Sequence, residues 1–263
     1  DALMKVTHIL RGEDHLTNTP RQILILQALG FNIPSYAHIS IILGNDGSPL
    51  SKRNGSMSIQ DLLVQGYTAN AINNYIARLG NNSYTGQTDI LSLMELAQQF
   101  DIDKLSKSAA KFDCQHLNHW QKKAIMHMSS QAFATWIHPY LQIDNTHRHY
   151  HAFIQLMHKN AYLPKHIKSW HNILFTPKLL IKDKNLTLQD NDFYNLCIEL
   201  IEKHNEWQEF ITHLKSRSEL KGRKMFHALR IALTGCVDGP ELSVIFNLID
   251  KEIKIQRFNS CCI

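Results

Sequence analysis

Two textures of apolar and polar positions divide the chain. Over residues 1–57, short β-branched and apolar runs are separated by polar clusters. Met4–Leu10 reads as a buried strand and His38–Leu43 as a second. Between them, Thr19 followed by Pro20 marks a helix start. Arg21 to about Leu29 then places Ile23, Leu26 and Leu29 toward a core, and Gly30 stops the helix. Strand, helix, strand and loop make part of an α/β sheet, too small to stand alone.

From Ser58 onward the period becomes helical. Ser58 and Asp61 form a capping box, and Gly66 closes that helix. Thr68 caps the next, Ala69–Leu79, whose Ala71, Ile72, Tyr75, Ile76 and Leu79 share a face before Gly80. Leu91–Phe100 and Cys114–Met128 are further helices, joined by Asp101–Asp113 with a turn at Ser106–Ala110. After Ser129, helices are expected at Gln131–Leu141, His151–Lys159, Asp190–Lys203, Glu206–Leu214, Lys224–Leu233 and Pro240–Arg257, with Pro164, Pro177 and Pro240 at joints. No strand of any length is expected there, so this half is an all-helical bundle or array. The fold class is therefore mostly α, with an α/β start.

Chemistry concentrates at few places. Gly47–Gly55 (GSPLSKRNG) follows an apolar run and precedes a helix. Glycines free its backbone, and Ser51, Lys52 and Arg53 supply a hydroxyl and two cations. That suits a loop closing over a polyphosphate, with charge developing at the α-phosphate; a solvated turn has the same composition. Arg11 stands in a polar cluster at the end of the first strand, where ligands bind in open α/β sheets. Its guanidinium can grip a carboxylate bidentately or pair with Asp14. Lys215, Arg217, Lys221, Arg223, Lys224 and Arg230 form a basic set with Glu219 the one acid among them, suited to a phosphate backbone or to a charged solvated face.

Composition narrows the picture further. The 263 residues make about two domains, and a net charge of +5 permits a nucleic-acid partner. Cys114, Cys197, Cys236, Cys261 and Cys262 include no C-x-x-C pair, which argues for a reducing compartment, and Cys261-Cys262 reads as a disordered tail. His147, His149 and His151 alternate without a supporting ligand set, so they read as solvent-facing and no metal site is expected. No apolar run approaches a membrane span, and no signal segment precedes the first strand.

The motifs taken together resemble bacterial-type glutamyl-tRNA synthetase, a class I aminoacyl-tRNA synthetase. Thr7–Gln22 (THILRGEDHLTNTPRQ), Tyr36–Gly55 (YAHISIILGNDGSPLSKRNG) and Gly66–Gly80 (GYTANAINNYIARLG) carry the likeness in order. Lys107-Ser108, Lys111–Asp113, Leu117-Asn118 and Gly222–Leu242 (GRKMFHALRIALTGCVDGPEL) continue it, while residues from about 131 to 220 match only in helical texture. The resemblance implies the tail of a Rossmann-type catalytic domain over 1–60, a helical stem-contact region over 61–132 and an all-helical anticodon-binding region over 133–263. It implies ATP-dependent formation of glutamyl adenylate and transfer of glutamate to the 3′ end of tRNA-Glu, in a cytoplasmic monomer with ATP and Mg2+ as the substrate complex.

Residue by residue, the resemblance implies that Lys52 contacts the ATP phosphates with Ser51 and Arg53 in support, that Ile41 and Ile42 meet the adenine, and that Arg11 binds the substrate carboxylate. The family's mobile KMSKS-type loop begins with a lysine where this chain has Pro49, which removes a cation and stiffens the loop entry. No HIGH-type motif occurs, so the chain reads as a C-terminal fragment that retains tRNA contacts without catalysis, and its loop, lacking a partner motif, is expected to be mobile. Alternatives are a paralogue charging tRNA-Gln with glutamate and a non-catalytic tRNA-binding derivative. Glutaminyl-tRNA synthetase is disfavoured because it reads the anticodon with β-barrels; the glutamyl-queuosine relative is disfavoured because it lacks an anticodon-binding tail.

Overall fold

Parallel pairing of residues 8–12 with 35–39 organises the start of the chain. The computed structural model describes residues 1–44, 46–48, 50, 58–141, 143, 145–177 and 190–262. They fall into two units, Asp1–His127 and Met128–Ile263.

In the first unit, β1 (His8–Gly12) pairs with β2 (Ser35–Ile39), and α1 (Thr19–Ala28) connects them after a 3-10 turn at Glu13–Asn18. The first strand starts four residues later than the apolar pattern suggests. Pro34, just before β2, has no N–H to extend the ladder, so pairing begins at His8 and Ser35. Ala2–Lys5 instead form a turn with Met4 exposed. Helix α1 presents Leu24, Ile25 and Leu29 to solvent, while Ile23 and Leu26 are half-buried. The expected second strand is split. The Ile41 N–H goes to the Glu13 carboxylate (3.2 Å), and the chain then forms β3 (Ile42–Leu43), parallel to β4 (Ala110–Lys111). Strand β4 falls where a turn is expected, because two residues are too few to show a period.

The helices that follow keep their capping signals. In α2 (Ile59–Val64), Ser58 and Asp61 form the reciprocal box, and Gly66 takes φ +91° after it. Thr68 caps α3 (Ala69–Arg78), and Gly80 has φ +78°. Helix α4 (Leu93–Gln99) starts from a second box, Ser92–Glu95. Helix α5 (Cys114–His127) packs on α3 through Ala71, Ile72, Tyr75, Leu117 and Ile125, although Ile76 of the same predicted face is exposed. Two buried amides pin this unit. Gln121 accepts from the Thr68 N–H (2.9 Å) and donates to the Gly66 carbonyl (3.2 Å), and Asn74 exchanges two bonds with the Leu91 backbone (2.7 and 2.9 Å).

The second unit is helical throughout its described residues. It comprises α6 (Ser130–Ile137), α7 (Tyr150–Asn160), α8 (Pro164–Phe175), α9 (Asn191–Lys203), α10 (Trp207–Arg217), α11 (Gly222–Thr234), α12 (Leu242–Leu248) and α13 (Lys251–Asn259). Pro164 is not a bare joint; it occupies the first turn of α8, where its missing N–H costs nothing. The single helix expected over Pro240–Arg257 is two helices. Ile249 is extended, and Asp250 starts α13 as its N-cap residue. Phe133, Phe153, Phe210, Phe246 and Phe258 are fully buried. Trimming one such ring to Ala costs about 3–5 kcal/mol.

Three features of this unit lie where sequence gave no warning. Arg257 is buried, and its guanidinium donates to the carbonyls of Leu233 (2.5 Å), Ile173 (2.5 Å) and Thr176 (2.6 Å), closing the C-terminal turns of α11 and α8. Lys254 is buried with Nζ 3.9 Å from the Phe246 ring centroid and 2.8 Å from Asn205 Oδ1. Burial pushes that ammonium down to about 8 and the Arg257 guanidinium down to about 10. The cysteine tail is packed rather than loose: Cys261 is buried, and burial raises its thiol to about 11.

Candidate functional site

Parallel register places Arg11 of β1 beside His38 of β2. The Arg11 guanidinium lies over the Tyr36 ring (5.1 Å), donates from Nη2 to Thr19 Oγ1 (2.6 Å), and approaches His38 Nε2 from Nε (3.4 Å). Nη2 also reaches the His15 carbonyl at 3.5 Å. Thr19 is buried and sits 2.9 Å from His38 Nε2, so strand and helix start hold one another. None of these partners is a carboxylate. The pairing of Arg11 with Asp14 is not formed; Asp14 faces His15 instead, at 3.6 Å. Arg11 is therefore oriented by neutral groups, and Nη1 has no hydrogen-bond partner among the described residues. A guanidinium held this way keeps its charge available to an anion.

Tyr36 and His38 have no expected role in the sequence, and Thr19, expected to cap α1, is instead its first helical residue after Asn18, with its hydroxyl turned to Arg11 and His38. The signal was present in part: Tyr36 and His38 alternate along β2, and pairing to β1 brings them to Arg11. Glu13 was missed as well, and its carboxylate takes the Ile41 N–H at the place where the resemblance puts adenine contacts. Ile42 lies on β3 against Ala110.

Ser51, Lys52, Arg53 and Pro49 lie outside the described residues, as does the expectation of a mobile loop. At the loop's entry, Asp46 accepts from the Ser48 hydroxyl (2.8 Å) and from its N–H (3.1 Å); the hydroxyl bond first, then the backbone bond, hold that carboxyl below the ordinary range.

The six cations of the basic set gather around the α10–α11 turn and along α11, in different states. Arg217 closes a bidentate pair with Glu199 (2.7 and 2.9 Å), and Lys221 Nζ donates to the Lys215 carbonyl (2.6 Å). Lys215 Nζ sits 5.7 Å from the Phe226 ring centroid. Arg230 is half-buried and donates to the Pro240 carbonyl (2.9 Å). Arg223 and Lys224 are exposed and engage no partner among the described residues. Away from this set, His147 and His149 have ring centroids 5.8 Å apart, and His149 approaches Asp250 (3.3 Å), half-buried rather than solvent-facing. Among the described residues no group of three or more His, Cys, Asp or Glu side chains is placed to hold a metal.

Comparison with known proteins accounts for both units. The model of the class I tRNA synthetases (E and Q), catalytic domain, matches residues 1–119, and the anticodon binding domain model matches residues 131–262. Together they define a class I aminoacyl-tRNA synthetase. Glutamate–tRNA ligase 2 of Coxiella burnetii (strain RSA 331 / Henzerling II) is 41% identical over 266 aligned positions, covering all of this chain and 57% of the relative. Glutamate–tRNA ligase 1 of Methylococcus capsulatus (strain Bath) is 43% identical over 255 positions, covering 95% and 54%. The crystal structure of a glutamate tRNA ligase from Elizabethkingia meningosepticum in complex with its amino acid superposes with a TM-score of 0.75 at 25% identity, over 98% of this chain and 57% of that one. The chain therefore joins a class I (E and Q) tRNA synthetase catalytic segment to an anticodon binding domain, and over its length it is similar to glutamate–tRNA ligases. It spans a little over half the length of the relatives it matches. Among the described residues no helix is long and apolar enough to cross a membrane.

Proposed function

We propose that the protein carrying this chain is a glutamate–tRNA ligase, which activates glutamate with ATP as glutamyl adenylate and esterifies the 3′ end of tRNA-Glu. The observation that carries this reading is the joining of two parts in one chain. A strand-end arginine with a neutral cradle stands in the class I segment, and a cationic helical edge stands in the anticodon-type unit. Arg11 binds the glutamate carboxylate through its fixed guanidinium. Backbone at Ile41 and Ile42 meets the adenine, which requires the Glu13 carboxylate to share or release the Ile41 N–H. Lys52, with Ser51 and Arg53, neutralises the triphosphate as the α-phosphate is attacked. Mg2+ enters with ATP as part of the substrate complex.

The division of labour follows the same reading: residues 1–60 in the catalytic domain, 61–132 in stem contact, 133–263 in anticodon binding. The protein acts in the cytoplasm as a monomer. The 263 residues contain no HIGH-type motif, so this chain alone binds tRNA without forming the adenylate. Two assays test the reading. The whole protein should charge purified tRNA-Glu; charging of tRNA-Gln instead would make it the paralogue that supplies a glutamyl precursor for amidation. ATP–pyrophosphate exchange by the 263-residue chain should stay at background, and exchange above it would overturn the assignment of roles.

A further inference from the structure

The edge of α11 ends at an aromatic ring that no role above uses. Arg223, His227 and Arg230 recur at i, i+4 and i+7, so they line one face of α11 while Met225, Ala228, Leu229 and Ala232 are buried on the other. At the far end of that line stands Trp170 of α8, half-exposed. A Cβ placed on Gly239 would lie 2.5 Å from Cη2 and 2.6 Å from Cζ2 of Trp170, and 3.5 Å from Nη1 of Arg230. Indole and guanidinium are thus neighbours over one glycine. Gly239 has φ +147° and leaves room that any side chain would fill. The Arg230 guanidinium is held by the Pro240 carbonyl, so the cation beside the ring is fixed. Trp170 has no stacked ring or overlying cation among the described residues, unlike Trp120, which has Arg78 at 4.0 Å, and Trp207, which meets Phe246 at 5.4 Å.

We propose that Trp170, seated on Gly239 beside Arg230, is a stacking platform for an unpaired base of the bound tRNA, with Arg223, His227 and Arg230 following the adjoining phosphates. This rests on the tRNA-binding reading and adds to it a residue that positions a base. A partly exposed indole offers a π-face to any base, and the adjacent cations meet the backbone, which is the pairing that single-stranded nucleic acid requires. Double-stranded RNA exposes no free base face, so the platform distinguishes loop from stem.

The test compares this chain with Trp170→Ala and Trp170→Phe, binding a tRNA-Glu transcript and a fully paired RNA of equal length. Trp170→Ala should weaken tRNA binding roughly tenfold and leave both duplex binding and Tm at the wild-type level. Trp170→Phe should keep most of the affinity while losing the tryptophan quench that accompanies binding. Should Trp170→Ala fail to fold, the quench comparison decides alone. Equal tRNA affinity in a folded Trp170→Ala, equal losses on duplex and tRNA, or a quench that survives in Trp170→Phe each overturn the platform. A wild-type chain that binds no tRNA overturns the tRNA-binding reading itself, and the platform with it.

Discussion

Glu199 of α9 and Arg217 of α10 form a two-point ion pair, Nη2 to Oε2 at 2.7 Å and Nη1 to Oε1 at 2.9 Å. The Arg217 bonds first, then the Lys203 bond, hold the Glu199 carboxyl down at about 2. Arg217 is therefore occupied by its own protein. Its removal should change tRNA affinity little, whereas it should lower Tm slightly at low salt and not at high salt. The sign with pH follows from a folded value below the ordinary one. The pair stabilises above the unfolded carboxylate range and is lost as pH falls toward 2. Thermal melts of Arg217→Ala against wild type at pH 3 and pH 7, in low and high salt, check this; a difference that grows on acidification would contradict it.

Arg223 and Lys224 stand differently, exposed and without an internal partner among the described residues. Reversing both to Glu should weaken tRNA binding strongly and flatten its salt dependence by about two counterions. Measuring log K against log salt for the double variant separates this from a general loss of fold, since Tm should not move. Unchanged binding would remove this edge from the tRNA footprint.

The contrast between those cations shows what was legible. Caps and stops at Ser58, Thr68, Gly66 and Gly80 are local chemistry, and the helices they bound appear where expected. Asp250 at the start of α13 is also a local signal, but the apolar run beside it hides the break. Lys254, Arg257 and Phe258 recur at i, i+3 and i+4 on one buried face of α13, and two of the three are cations. Only the carbonyls of Leu233, Ile173 and Thr176, brought from distant helices, make an arginine acceptable there. The Arg11 cradle is similar. Its strand-end position is visible in sequence, while Tyr36, His38 and Thr19 reach it only through strand pairing and the start of α1.

Arg257 should accordingly be among the most sensitive polar positions in the second unit. Replacing it with Met keeps much of the volume and removes the donor from one buried and two part-buried carbonyls. A loss of about 3–5 kcal/mol is expected, measurable as a fall in urea midpoint at unchanged slope. Arg257→Lys should recover part of this, because one ammonium cannot span acceptors at the ends of two helices. A Met variant as stable as wild type would mean that the carbonyls find other donors.

Lys254 gives a pH dependence of the same sign as Glu199, displaced to the alkaline end. Its folded value of about 8 lies below the ordinary 10.5, with burial the main cause. Between these values the unfolded chain holds a proton that the folded chain has released, so stability should rise as pH increases from 8 toward 10.5. Below pH 8 both states are charged and the burial cost is constant. Lys254→Met should abolish that alkaline rise. Melts taken every half unit from pH 7 to pH 10 would reveal it, and a slope that persists in the Met variant assigns the titration to another group.

Thr19 and Arg11 supply the last prediction, in the whole synthetase. Thr19 Oγ1 receives Arg11 Nη2 at 2.6 Å and lies 2.9 Å from His38 Nε2, so one hydroxyl fixes the guanidinium from the helix side. On the role proposed for Arg11, Thr19 would act on glutamate only through that guanidinium, which makes it a positioning residue. Thr19→Val keeps the shape and removes the acceptor. The guanidinium then loses its strongest anchor, and the KM for glutamate should rise roughly tenfold, the scale of one charge-assisted bond. Binding of ATP and of tRNA should stay as in the wild type. Thr19→Ser restores the hydroxyl and should restore KM, an outcome that a purely packing role for the threonine methyl does not produce. Arg11→Lys should raise the same KM further, since an ammonium lacks the two-point grip on a carboxylate. If Val and Ser variants behave alike, the hydroxyl is not what aims Arg11.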